Sequence, residues 1–386
     1  MRGEIYRTRE MLARLVAFDT TSRESNLALI DFIREYLAGH GIASRLFFNE
    51  TQTKANLYAT IGPEAPGGVV LSGHTDVVPV DGQSWRSDPF TLEEREGRLY
   101  GRGAADMKGF IASTLALVPE FVAGVTRTPL HLAFSYDEEV GCAGVHSMVR
   151  HIAGHLPRPR AVIVGEPTLM QAVNSHKGIR TYTTEVTGLE AHSSLPHLGV
   201  NAIDVAVRLI NYLHALRSEM HRQGDASGRF DPPYTSIHVG VIEGGTALNI
   251  VPRRCRFQWE IRPLPGQDPD EIAARFRAYA HDDVLPEIRA VSEQADIVIR
   301  QRADVPPLAP LEGSPAEALI TALSGSNELL AVSYTTEAGI FQDAGIPAVI
   351  CGPGSIDQAH KPDEFIGLPE LAACDAFLRR LLQSLV

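Results

Sequence analysis

Residues 160–167 read RAVIVGEP, a continuous apolar run that stops at an acid. A strand with one wet face alternates apolar and polar residues, so an unbroken run marks an interior strand covered on both faces. Working outward, SRLFF (44–48), NLYATIG (56–62), GVVLSGH (68–74) and LHLAFSY (130–136) are short apolar or alternating runs bounded by Gly, Pro or Asn, which predicts strands. LALIDFIREYLAGHG (27–41) has apolar residues at helical spacing and ends in glycine. MKGFIASTLALVPEF (107–121) and GVHSMVRHIAGHL (144–156) are read as helices between the strands. The alternation predicts an α/β fold, an α/β/α sandwich around a largely buried sheet.

A different block follows. Strand-like RTYTTEVTG (180–188) precedes the helix NAIDVAVRLINYLHALRSEM (201–220). Then come two strands, TSIHVGVI (235–242) and RRCRFQWEIR (253–262), the helix DPDEIAARFRAYAHD (268–282) and a last strand, DIVIRQ (296–301). The order β-α-β-β-α-β is that of a ferredoxin-like α+β domain. The α/β pattern resumes with SPAEALITALSG (314–325), PAVICGPG (347–354) and the helix LPELAACDAFLRRLLQSL (368–385). Residues 177–303 therefore read as a domain inserted into another built from 1–176 and 304–386.

Composition narrows the classes of function. A formal net charge of −12, with no basic stripe, argues against a nucleic-acid partner. No apolar run approaches a membrane span, and the N-terminal MRGEIYRTREMLARL is charged and helix-like, without a signal core. The four cysteines (Cys142, Cys255, Cys351, Cys374) form no C-x-x-C pair and read as reduced thiols. The expectation is a cytoplasmic protein with neither membrane nor nucleic-acid partner.

Strands of the larger domain end in groups that bind metals. GVVLSGHTD ends in His74 and Asp76, LHLAFSYDEE in Glu138 and Glu139, and RAVIVGE in Glu166. Asp106 lies in a Gly-rich loop opening a helix, and His360 in a loop just after a strand. Ligands of open α/β sheets bind beyond the carboxyl ends of the strands, so these groups can converge. Alone, His74 reads as a structural histidine and Asp106 as a helix cap. Convergence of five or six such groups at one edge is not expected by chance. Two histidines with three carboxylates suit Zn²⁺ or Co²⁺ better than Ca²⁺. Asp76, two residues after His74, is expected to accept from the second ring nitrogen of that histidine.

Taken in order, SGHTDVVPV, YGRGAADMKG, YDEEVG, VGEPT, GLEAHSSLPHLGVNAI and GPGSIDQAHKPDEF resemble the M20 metallopeptidases over essentially the whole chain. The resemblance implies two zinc ions, with cobalt possible in their place. His74 and Glu166 would hold one, Glu139 and His360 the other, and Asp106 would bridge them, with a hydroxide between the metals. It further implies that Glu138 is the general base and acid of an amide hydrolysis.

In the insert, the same resemblance makes His192 an oxyanion and carboxylate binder that reaches the partner subunit's active site in a homodimer, formed through this lid domain. It places Asn249 and Arg262 on the substrate carboxylate, a group a guanidinium holds well. DEEVGCAGVHSM, GGTALNIVP and CGPGSIDQAHKPDEF are most like the branch that hydrolyses N²-acetyl-L-ornithine to ornithine and acetate in arginine synthesis. A broader N-acyl-amino-acid deacylase, a dipeptidase or a desuccinylase is the alternative. In SYTTEAG (333–339), Thr335 stands where the resemblance leads one to expect glycine.

Overall fold

The computed structural model describes residues 5–386, so the first four residues of the N-terminal stretch lie outside it. Two compact units emerge. One comprises the chain up to Ser175 with Leu308–Ala331 and Thr336–Val386, the other His176–Pro307 with Val332–Thr335.

The first unit is organised by an eight-stranded sheet. Its spatial order is Ser44–Phe48, Ala55–Ile61, Leu130–Ser135, Val69–His74, Ala161–Pro167, Ala348–Gly352, Val173–His176 and Leu330–Val332. The four strands in the middle are mutually parallel, and Ala55–Ile61 joins them antiparallel. All four, Leu130–Ser135, Val69–His74, Ala161–Pro167 and Ala348–Gly352, are buried at every residue. This is the doubly covered sheet that the apolar run at 160–167 predicts. Leu132, Phe134 and Ile163 pack with Phe110, Ile111 and Leu115 in one large core.

The predicted helix over 107–121 is a correction. The chain makes a kinked, non-helical turn at Ala104–Lys108, with Asp106 at φ −122°, ψ +92°, then a helix at Gly109–Ala116 and a separate helix at Val118–Gly124. Pro119 explains the break, because it has no N–H to give and its ring opposes the carbonyl four residues back. That carbonyl, Leu115, accepts from the Tyr36 hydroxyl at 3.1 Å instead. A three-stranded sheet of Glu93–Arg95, Arg98–Tyr100 and Phe365–Gly367 carries no periodic signal at three residues per strand. Among the described residues, no single helix is long and apolar enough to cross a membrane.

The second unit has the ferredoxin-like arrangement. Its antiparallel sheet runs Ser236–Gly244, Arg254–Arg262, Ile179–Thr187, Asp296–Val305. Cys255, Phe257, Trp259 and Ile261 alternate inward along their strand and meet Leu209, Leu213 and Leu216 of the helix Ala202–Gln223. The predicted helix over 268–282 passes at Tyr279–Val284 into a wider turn, where Pro286 removes another helical donor.

Candidate metal centre

The candidate ligands leave the parallel strands at their carboxyl ends. His74 is the last residue of its strand and Glu166 the second-last of the neighbouring one. Gly165 lets this happen: a Cβ there would lie 2.0 Å from the Phe110 ring, so only glycine allows the core to close beneath Glu166. Glu138 and Glu139 follow Leu130–Ser135 in a turn where Asp137 adopts φ +57° and Gly141 φ +90°. The Gly141 and Cys142 N–H groups fold back onto the Glu138 carbonyl at 3.0 and 2.8 Å.

These groups converge. His74 Nε2 lies 3.0 Å from Asp106 Oδ1 and 3.8 Å from Glu166 Oε1. His360 Nε2 lies 3.4 Å from Asp106 Oδ2 and 3.0 Å from Glu139 Oε2. Asp106 thus presents one oxygen to each histidine. Ligand atoms of His74, Asp106 and Glu139 lie within 4.8 Å of one another, as do those of His74, Glu138 and Glu166.

Protonation follows from burial. With little water to solvate them, Glu138 and Glu166 are pushed well above the usual carboxylate range, and Glu139 up to about 7. Burial opposes ionisation of Asp106 too, but hydrogen bonds from His360 and His74 hold it below its ordinary value. Burial also pulls His74 down, yet Asp106 and Glu166 raise it well above the usual imidazole range. Glu166 Oε1 is buried with no hydrogen-bond partner. Crowded carboxylates, an orphaned buried oxygen and two imidazoles form a mixed N/O donor set that fits divalent transition-metal cations.

Comparison with known proteins decides the family. Residues 70–384 match the model of Peptidase family M20/M25/M40. The chain belongs to this family. It is 38% identical to the acetylornithine deacetylase of Myxococcus xanthus, covering 96% of each chain. With that of Proteus mirabilis it shares 35% identity, over 99% of this chain and 96% of the relative. In fold it is similar to an M20 family metallo-carboxypeptidase of Sulfolobus solfataricus, with TM-score 0.77, 19% identity and 99% of each chain covered. A dinuclear metal binding M20 peptidase of Bacillus subtilis has TM-score 0.63 and 13% identity, over 97% of this chain and 98% of that one. The chain is a metal-dependent hydrolase of the M20 family.

Several residues of this M20 chain do not behave as their sequence suggests. His74 Nδ1 meets the main-chain carbonyl of Asp76 at 2.9 Å, whereas the Asp76 carboxylate stands off at 3.7 Å. That carboxylate instead accepts the N–H groups of Glu138 and Glu139, at 3.1 and 3.2 Å, and the Ser22 hydroxyl. The chain turns just after His74, which puts the carbonyl rather than the side chain under the ring.

In the second unit, His192 and Asn249 are exposed neighbours: His192 pairs with Ile250, and Ser193 N–H donates to the Asn249 carbonyl at 3.1 Å. Arg262 closes the far end of the strand Arg254–Arg262 and is ion-paired with Glu260 at 2.8 Å. Eight residues at ~3.3 Å each put it roughly 25 Å from the strand's beginning. The structure brings His192 and Asn249 together and holds Arg262 apart from them, so Asn249 and Arg262 of one chain do not meet at one carboxylate. The Thr335 hydroxyl donates to the Lys177 carbonyl at 2.8 Å, a bond that the expected glycine has no side chain to make.

Sequence reasoning missed Glu337. It is fully buried, burial pushes it up to about 7, and its Oε2 lies 3.4 Å from the Ser72 hydroxyl. An acid among small residues in TTEAG is the signal that was there to find. Glu364, in the KPDEF stretch, was passed over in the same way.

Proposed function

We propose that this enzyme hydrolyses N²-acetyl-L-ornithine to L-ornithine and acetate, as a step of arginine synthesis in the cytoplasm. The observation that supports it most is the shared position of Asp106, one oxygen toward His74 and the other toward His360, with Glu138 beside them. Full-length likeness to acetylornithine deacetylases supports the substrate.

In this reading His74 and Glu166 would hold one divalent cation, zinc or cobalt, Glu139 and His360 would hold a second, and Asp106 would be a ligand available to both. Such a pair, when bound, lowers the pKa of water and polarises the scissile carbonyl. Glu138 takes a proton from the attacking water as its oxygen bonds to the amide carbon. It then gives that proton to the amide nitrogen, the C–N bond breaks, and the remaining hydroxyl proton of the acid passes to the amine, so that acetate and an ammonium group leave. Asp76 keeps Glu138 in place by accepting its N–H.

The inserted unit serves as lid and dimerisation domain. Its edge strand Ser236–Gly244 leaves backbone groups unpaired and exposes Val241 and Ile242, a template for a second copy. The separation of Arg262 from His192 and Asn249 also favours sharing: Arg262 of one chain binds the substrate carboxylate, while His192 and Asn249 come from the other. Steady-state kcat/KM on N²-acetylornithine, N-acetylmethionine and N-succinyl-diaminopimelate tests the substrate. The first is expected to lead. A faster reaction with either of the others replaces this reading with a broader deacylase or a desuccinylase.

A further inference from the structure

Asp106 and His360 come from segments more than two hundred residues apart: the first is buried from 101 to 110, with Ala104 and Met107 in the core, while the second is largely exposed at His360. The His360 side chain is 55% exposed and its main chain adopts φ +64°, a left-handed conformation that few side-chain-bearing residues take. The Asp106 loop starts at Gly103, also left-handed at φ +79°. What ties the exposed His360 loop to the packed Asp106 segment is a buried network centred on Glu364, four residues beyond His360.

Glu364 and Arg102 form an ion pair at 2.8 Å with each side chain only 1% exposed. Glu364 Oε2 also accepts from the Gly103 N–H at 3.0 Å, and Oε1 accepts from those of Ala105 and Asp106 at 2.9 and 3.1 Å. One carboxylate therefore takes three main-chain donors, those of Gly103, Ala105 and Asp106, from the loop that carries Asp106. Arg102 extends the network, donating to Gln83 Oε1 at 2.5 Å and to the Lys361 carbonyl at 3.3 Å. Gln83 completes it: its Nε2 donates to the carbonyl of His360 itself at 2.9 Å. The Trp85 indole N–H donates to the same Gln83 oxygen at 3.0 Å, which fixes the amide's orientation.

We propose that Glu364, Arg102 and Gln83 are positioning residues for the metal held by His360: they clamp the His360 and Asp106 loops at one spacing. The inference rests on the two-cation reading above. An exposed histidine on an unclamped loop must be ordered by the metal itself, which weakens binding by the cost of that ordering. His74 and Glu166, fixed by strands of the central sheet, do not depend on the clamp.

Two variants separate positioning from folding. Gln83→Met removes all three hydrogen bonds of the amide at similar volume in a half-buried loop, and Glu364→Gln trades one acceptor oxygen for a donor at constant shape. Each metal-binding step is measured by Co²⁺ and Zn²⁺ titration against a chromogenic chelator, with His360→Ala marking the step that belongs to His360. Gln83→Met should weaken that step by about ten- to a hundredfold, the usual effect of losing a residue that orients a ligand, and leave the other step nearly unchanged; Glu364→Gln, which also disturbs the shared Asp106, should weaken both steps, the His360 step more. The unfolding midpoint of metal-free Gln83→Met should not move. Equal weakening of both steps in Gln83→Met, or a wild-type affinity at its His360 step, overturns the clamp. A wild-type protein that binds fewer than two ions overturns the two-cation reading, and the clamp with it.

Discussion

Glu138 and Glu139 are adjacent in the chain but keep different company. One lies 3.4 Å from the Cys142 thiol, the other 3.0 Å from His360. Neighbouring side chains on a strand diverge, but the strand ends at Ser135, and the turn after it is gathered by the Asp76 carboxylate on both N–H groups. The proposed function gives them distinct roles. Glu138→Gln should keep about two metals per chain and lose about 10²- to 10⁴-fold in turnover, the range of a general acid–base contribution. Glu139→Gln should instead lower the metal content. Metal analysis with kinetics checks both. The reversed pattern would make Glu138 the ligand, a role its closeness to His74 and Glu166 permits.

At the scale of elements, His131 shows what a doubly covered sheet imposes. It pairs with Thr60 across the strands, and its Nδ1 lies 2.7 Å from the Tyr58 hydroxyl and 3.0 Å from Thr60 Oγ1. Its Nε2 is buried without a partner, and burial lowers its pKa from 6.5 to about 4. The unfolded chain takes up this proton near pH 6.5 while the fold refuses it until about 4. Unfolded molecules therefore bind more protons in that window, and stability is lost as pH falls through it, by about 3 kcal/mol from this residue. His131→Gln can still accept from Tyr58 but does not titrate. Guanidinium unfolding of the metal-free proteins at pH 7 and 4.5 should show the variant losing less stability on acidification. Equal losses would place the acid sensitivity elsewhere.

At the scale of the whole molecule, a shared active site has a symmetric consequence. Homodimers of Glu138→Ala or of His192→Ala should be nearly inactive. A mixed dimer has one site with both lesions and one with neither. Random co-refolding gives about half heterodimers, each with one good site of two, so about a quarter of wild-type activity should return. No recovery, with heterodimers confirmed by mass, would place His192 at its own chain's site.

Much of this was legible in one dimension. Strands such as Ala161–Pro167 announce themselves because burial on both faces leaves a continuous apolar run, and acids or histidines at their ends stand out against it. The β-α-β-β-α-β order of the insert is likewise a local pattern. Tertiary structure alone decided that Asp106 faces two histidines, that the Asp76 carbonyl rather than its carboxylate meets His74, and that Glu364 binds three N–H groups of a loop far upstream. It also put Arg262 at the opposite end of a strand from Asn249's loop. Periodicity reports which side of an element meets the core, because burial acts on each residue where it stands. Distances between side chains on separate loops depend on how the strand ends are brought together, and no local pattern carries that information.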